Sequence, residues 1–206
     1  MKVDIQDVLF WMDAIRNSED RYRTLESFWK GQVNSKVWLA ESLEQFMLYD
    51  KQRIAIYGGW NGVLASILFN SKLNIEYITS VDIDPVCEEI ANTVNKKYEM
   101  EKRFRALTAD MCDDRISFML KFSNIIINTS CEHITQDQYD KWLDNQPNDA
   151  LFVIQSNNYF DHEEHIRCST DLGDFVRMSK IKPLWQGELE TPKYARYMII
   201  GRKKNV

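Results

Sequence analysis

No apolar run in the chain approaches the roughly 18 residues that cross a bilayer as a helix. Its start also lacks the basic-then-apolar order of a secretory signal, so a cytoplasmic protein without a membrane partner is expected. Cysteine pairs are missing too. Cys87, Cys112, Cys131 and Cys168 are widely scattered with no CxxC spacing. That argues against a disulfide framework or zinc ribbon and suits a reducing compartment. Excess positive charge is absent: the formal net charge is −5 and the pI is near 5.3. Nucleic-acid affinity rests on neutralising phosphates, so an RNA or DNA partner is disfavoured. The densest basic stretch, Lys96–Arg105, carries two glutamates and reads as a solvated face. Repeats and low-complexity segments are also lacking. What remains is 206 residues, 44% hydrophobic and 12% aromatic, enough to build the core of one domain with appendages.

The chain is organised around Arg53–Gly62, RIAIYGGWNG. A short apolar run with β-branched ends, Ile54–Ile56, stops at Gly58-Gly59, and a helical pattern opens at Gly62 with Val63, Leu64, Ile67 and Leu68. In α/β proteins a strand, glycine turn and helix start bring backbone against a nucleotide-like ligand; the alternative is an ordinary tight turn. Before this stretch, residues 1–50 read as a helical cap. Ile5, Leu9 and Met12 recur at helical spacing, as do Tyr22, Leu25 and Trp29, then Leu39, Leu43, Phe46 and Met47. Breaks are expected at Asn17-Ser18 and at Gly31–Ser35. Trp11, Trp29 and Trp38 give this cap the aromatic mass either to pack on the sheet or to roof a substrate pocket.

Residues 51–206 alternate strands with helices. Strands are expected at 53–57, 77–82, 104–108, 123–128 and 150–156, and helices at 62–70, 85–98, 114–121 and 135–143. This rhythm implies a parallel sheet with right-handed crossovers. Asp84 is placed to cap the helix at 85–98, Pro85 suits its first position, and Val86, Ile90, Val94 and Tyr98 form its stripe. After a short helix at 172–180, two runs, Ile181–Leu189 and Tyr194–Gly201, leave no room for a crossover and should form an antiparallel hairpin around Thr191-Pro192.

Ligands of open parallel sheets bind beyond the carboxyl ends of the strands. Here those ends are Tyr57–Gly62, Val81–Asp84, Ala109–Met111, Asn128–His133 and Gln155–Tyr159, each polar or small after an apolar run. Asp82 follows Gly62 by about twenty residues, the spacing at which an acid reaches ribose hydroxyls. The closing Tyr57-x-Gly59-x-x-Gly62 lacks the first glycine of a dinucleotide fingerprint, which argues against a nicotinamide cofactor.

These strand ends resemble, over about residues 52–202, the class I S-adenosylmethionine-dependent methyltransferases. IAIYGGWNG resembles the glycine-rich first motif, with Gly58, Gly59 and Gly62 on its small positions. VDIDP resembles the second, implying that Asp82 holds the ribose diol and Ile83 flanks adenine. TADM resembles the third, implying contacts from Asp110 and Met111 to the base. IIINTSCEHI, Ile125–Ile134, resembles the fourth motif and the Glu-His-Ile that often follows it in small-molecule enzymes, implying a cofactor contact from Asn128. The resemblance implies a Rossmann-like fold with an antiparallel terminal hairpin and S-adenosylmethionine as cofactor. Two positions depart from the pattern: Ile56 stands where an acid is usual and Trp60 where a middle glycine is usual. Tyr57, Asn61 or a residue of the N-terminal cap is expected to substitute for the missing acid.

Methyl transfer needs an in-line nucleophile and a place for its proton. Glu132 and His133 are the candidates for that work, set against ordinary roles at a helix start. Asn157, Asn158 and Tyr159 are candidates to orient a substrate. Cys131 reads as a small buried thiol rather than as a nucleophile, because the proline usual before such a cysteine is missing. Asp161–His165 places two imidazoles three residues apart with carboxylates between them. It reads as a solvated acidic loop or short helix, and no metal is expected. The expected activity is methyl transfer to a small polar acceptor. The alternatives are a nucleic-acid methyltransferase and a methyltransferase-like binding module without activity.

Overall fold

A computed structural model of the chain describes residues 2–46 and 50–204. Its elements are α1 (Ile5–Asn17), α2 (Arg21–Glu26), α3 (Lys30–Glu44), β1 (Gln52–Tyr57), α4 (Val63–Phe69), β2 (Ile75–Asp82), α5 (Pro85–Val94), α6 (Lys96–Met100), β3 (Phe104–Thr108), α7 (Asp114–Met119), β4 (Ile125–Asn128), α8 (Gln136–Asp144), β5 (Leu151–Asn157), α9 (Leu172–Ser179), β6 (Ile181–Glu190) and β7 (Ala195–Lys203). The strands form a seven-stranded sheet in the order β3-β2-β1-β4-β5-β7-β6. Contacts divide the chain into two compact units, Met1–Asp110 and Met111–Val206. None of the described helices is long and apolar enough to cross a membrane.

In the first unit, β1 pairs with β2 and β2 with β3, all parallel. The apolar residues that marked β1, Ile54 and Ile56, are buried together with Ala55. Ile56 is therefore a core residue. Helices α1–α3 belong to the same unit. Trp11 on α1 donates its indole N–H to Ser66 on α4 at 3.0 Å. Asp7 is fully buried and accepts from Tyr98 Oη at 2.8 Å and Asn70 Nδ2 at 2.6 Å.

Three expectations for this unit need correction. Helix α3 runs through Gly31–Ser35, and the chain breaks instead after α2, at Ser27–Trp29. Glycine costs a helix only about 1 kcal/mol, which α3 offsets by burying Leu39, Ala40 and Leu43. The stripe Ile5, Leu9 and Met12 faces solvent, while Asp7 and Ala14 face inward; Tyr22, Leu25 and Trp29 are exposed as well. Met47 lies outside the described residues. The helix expected at 85–98 is two helices, because the buried Asn95 turns its amide back onto the carbonyls of Ala91 and Gly62, at 2.9 and 3.0 Å. The residues of this segment that enter the core are Cys87, Ala91, Val94 and Tyr98, whereas Val86 is exposed. Asp84 caps α5 as expected, accepting from Val86 N at 3.0 Å, with Pro85 in the first turn.

In the second unit, β4 pairs parallel with β5. Strand β7 lies between β5 and β6 and runs antiparallel to both, which realises the expected hairpin. Its turn is closed by Thr191, whose N–H and hydroxyl both donate to Tyr194 O. All seven residues of β5 are buried, while β6 alternates buried or half-buried with exposed positions, the pattern of an edge strand with one covered face. Tyr139 and Trp142 fill the core beneath α8.

Candidate functional site

Polar groups gather at the carboxyl ends of the strands in each unit. In the first, β1 ends in a loop in which every second residue from 58 to 62 takes positive φ. Gly58 and Gly62 take φ of +66° and +73°, and Trp60 takes +46°. A left-handed conformation costs a side-chain-bearing residue about 1–2 kcal/mol, so Trp60 is held there by its surroundings. The holder is Asp82 at the end of β2. One of its carboxylate oxygens accepts from Trp60 N at 2.7 Å and the other from Asp84 N at 3.1 Å. Gly62 is also required sterically. A Cβ there would sit 2.7 Å from Asn95 Nδ2 and 2.9 Å from Ala91 Cβ, so only glycine lets α4 start this close to α5.

The loop leaves one donor over. Asn61 is 2% exposed, and its Nδ2 has no hydrogen-bond partner. A buried amide N–H without a partner costs about 1–3 kcal/mol, which an acceptor on a ligand would recover. Ile83, beside Asp82, is an apolar side chain left 70% exposed. Asp110, after β3, is exposed. Arg23 of α2 forms an ion pair with Asp84. The Val86 amide and the Arg23 guanidinium hold the Asp84 carboxyl below its ordinary value of 3.8. Tyr57, in contrast, is fully buried in the core.

In the second unit the strand ends are organised by side chains. Asn128, at the end of β4, accepts from Ser130 N at 3.0 Å and donates to the Met111 sulfur at 3.6 Å, which shapes the turn. The chain then makes a 3-10 turn over Cys131–His133. This turn buries Glu132 to 2% exposure and leaves His133 exposed. Asn157, at the end of β5, donates to Glu132 Oε1 at 2.6 Å, while Arg196 Nη1 on β7 stands 3.9 Å from the same oxygen. Glu132 Oε2 has no partner. The loop after β5 is tied to the turn by the amides of Ile166 and Arg167, which donate to Glu132 O at 2.9 and 3.0 Å. It brings His165 against His133, with ring centroids 4.8 Å apart and nearly perpendicular planes.

Burial and bonding set the chemistry of these groups. Burial lowers the His165 imidazole below its ordinary value of 6.5, so the ring is neutral near pH 7. Its Nδ1 lies 2.9 Å from Tyr159 O and donates there. Burial pushes the Cys131 thiol up to about 12 and the Cys168 thiol up to about 11. Cys131 is therefore a protonated core thiol, as expected, and not a nucleophile. Arg167 is buried across the Tyr139 ring, donating to Gln136 Oε1 at 2.8 Å and Cys131 O at 3.0 Å.

The structure thus brings Glu132, His133 and Asn157 together. Asn158 fastens β7, accepting from Ala195 N at 2.8 Å, and Tyr159 stacks on Tyr194 with centroids 5.3 Å apart. The carboxylates of Asp161, Glu163 and Glu164 are exposed on a loop without helix. Sequence reasoning missed His165 as a neighbour of Glu132, together with Arg167 and Arg196. A basic residue entering an apolar strand, as Arg196 does in Ala195–Ile200, is the one local sign of such a role.

No protein-family model and no curated protein matches the sequence. Solved structures do match the fold. A putative sarcosine dimethylglycine methyltransferase from Galdieria sulphuraria superposes with a TM-score of 0.64 at 11% identity, over 97% of this chain and 98% of that one. Magnesium protoporphyrin IX methyltransferase from Synechocystis PCC 6803, solved with bound S-adenosylmethionine, gives 0.64 at 10%, over 96% and 91%. TrmK of M. capricolum, in complex with S-adenosylhomocysteine, gives 0.57 at 11%, over 82% and 68%. The chain has the Rossmann-like fold of the class I methyltransferases, as its motif order implied.

Proposed function

We propose that the chain is an S-adenosylmethionine-dependent methyltransferase acting on a small polar acceptor. The observation that carries this reading is the loop at the end of β1. Gly58 and Gly62 adopt left-handed backbone, Asp82 holds the loop through Trp60 N, and Asn61 keeps a buried donor in reserve. These residues fit the cofactor. The Asn61 amide suits a carboxylate acceptor, and the Asp82 oxygens retain lone pairs for a ribose diol beyond their two backbone bonds. Ile83 offers an apolar face to a base, and Asp110 an acceptor for an amino group. When bound, S-adenosylmethionine supplies an electrophilic methyl group.

The chain's own contribution to reactivity lies at Glu132. Asn157 and the 3-10 turn hold this carboxylate in place, and its second oxygen is open to accept a proton from an acceptor group. Asn157 is a positioning residue in this scheme, and the acidic charge favours a small molecule over a nucleic acid.

Thermal unfolding with S-adenosylhomocysteine, with NAD as the control, tests the cofactor class. Ligand at about a hundredfold its Kd adds about 2.7 kcal/mol, a rise of roughly 5–10 °C for a chain of this size. The rise should be absent with NAD and shrink markedly in Asp82→Ala. No response to S-adenosylhomocysteine would overturn the reading.

A further inference from the structure

Glu132, His133 and His165 each present one atom of metal-ligating type, and the three atoms lie within 4.8 Å of one another. They meet because the loop after β5 is pinned to the turn after β4 by two amides on the Glu132 carbonyl. Glu132 is 2% exposed, and while Oε1 accepts from Asn157, Oε2 has no partner. A buried carboxylate oxygen left without a donor is costly unless a ligand completes it. His165 is prepared in the same direction. Its Nδ1 is committed to Tyr159 O at 2.9 Å, which leaves the lone pair on Nε2, the arrangement by which outer partners orient a ligating imidazole. His133 is exposed and closes the group from the solvent side.

We propose that Glu132, His133 and His165 bind a divalent transition-metal ion of the zinc class. Two imidazoles and one carboxylate form a mixed nitrogen and oxygen set that suits zinc, whereas calcium and magnesium ask for more oxygen ligands than one carboxylate offers. Bonds of about 2.0–2.2 Å bring tetrahedral ligands to about 3.5 Å of one another, so the group tightens by about 1 Å on binding. The exposed His133 side chain has the rotamer freedom to make that movement. Three protein ligands leave a fourth position open, the mark of a site that also meets water or substrate. With an ion bound, Glu132 is a ligand and no longer the free proton acceptor of the function proposed above. That the open position receives the methyl acceptor rests on that function, whereas the metal site does not.

Zinc titration of the chelator-treated full chain by calorimetry, with cobalt(II) as a spectroscopic probe, tests the site. One equivalent of zinc should bind, and cobalt(II) should give the visible absorption of a low-coordinate nitrogen and oxygen site. His133→Ala and His165→Ala should each weaken zinc at least tenfold. His133 is exposed, so its variant folds whatever becomes of His165. His162→Ala removes the neighbouring imidazole, whose ring stacks on His165 at 4.5 Å, and should change zinc binding no more than threefold. Absence of stoichiometric binding to the wild type would overturn the proposal. So would binding that survives His133→Ala unchanged or falls equally in His162→Ala. The thermal response to S-adenosylhomocysteine should persist in His133→Ala, so failure of the metal site and failure of the cofactor reading give different results.

Discussion

The loop at Gly58–Gly62 and the turn at Cys131–His133 follow central strands of one sheet, yet they are built on different principles. The first is made of backbone. Its shape is held by amides donating to one carboxylate, Asp82, and its unused group is a donor, Asn61 Nδ2. The second is made of side chains. Asn157 and Arg196 converge on Glu132, and an acceptor, Glu132 Oε2, is left open. A leftover donor is matched by an anionic or carbonyl ligand, and a leftover buried carboxylate oxygen by a cation or a proton donor. The contrast also separates their vulnerabilities. A backbone loop fails when its dihedrals are denied, and a side-chain cluster fails when one polar member is deleted.

Gly62→Ala attacks the first principle directly. It forces a side chain into left-handed backbone and against Ala91 and Asn95, at a cost of about 3 kcal/mol. Thermal unfolding should fall by roughly 6–12 °C, and a fall below about 2 °C would show that backbone geometry does not set this loop. Arg167→Met attacks the second. Methionine keeps the apolar stem over Tyr139 but strips donors from Cys131 O and Gln136 Oε1, costing about 2 kcal/mol. Urea unfolding should resolve that loss, and an unchanged midpoint would break the claim that polar side chains build the second rim.

Asp84→Asn is the mildest change and isolates charge from capping, since asparagine caps a helix about as well as aspartate. The folded Asp84 carboxyl titrates below its ordinary 3.8, first because Val86 N donates to it and then because Arg23 pairs with it. Its contribution is therefore present above pH 3.8 and fades as pH falls through the lowered folded value. The variant should lose less than about 1 kcal/mol near pH 7, and the gap to wild type should close on acidification. A gap that stays constant across that range would mean that Arg23 contributes nothing through charge.

The strands, the glycine turn, the Asp84 cap and the terminal hairpin were legible in the sequence because they depend on near neighbours. β-branched runs, positive-φ glycines and a capping carboxylate act within a few residues, so their pattern carries their structure. The order of the polar strand ends was legible for the same reason. What sequence spacing could not reveal was which face of a helix turns inward. The stripe Ile5, Leu9 and Met12 lies outward because α1 is anchored by Asp7 on Tyr98 and Asn70 and by Trp11 on Ser66, all distant in the chain. The break at Asn95 has a similar origin, since Gly62 O is 33 residues away. His165 joins Glu132 across another 33 positions, through amides whose register only the folded loop defines. The sequence by itself determined the elements and their order, since those follow from local backbone preference. The tertiary structure alone decided which polar groups are buried and left without partners, because desolvation is a property of packing and not of spacing.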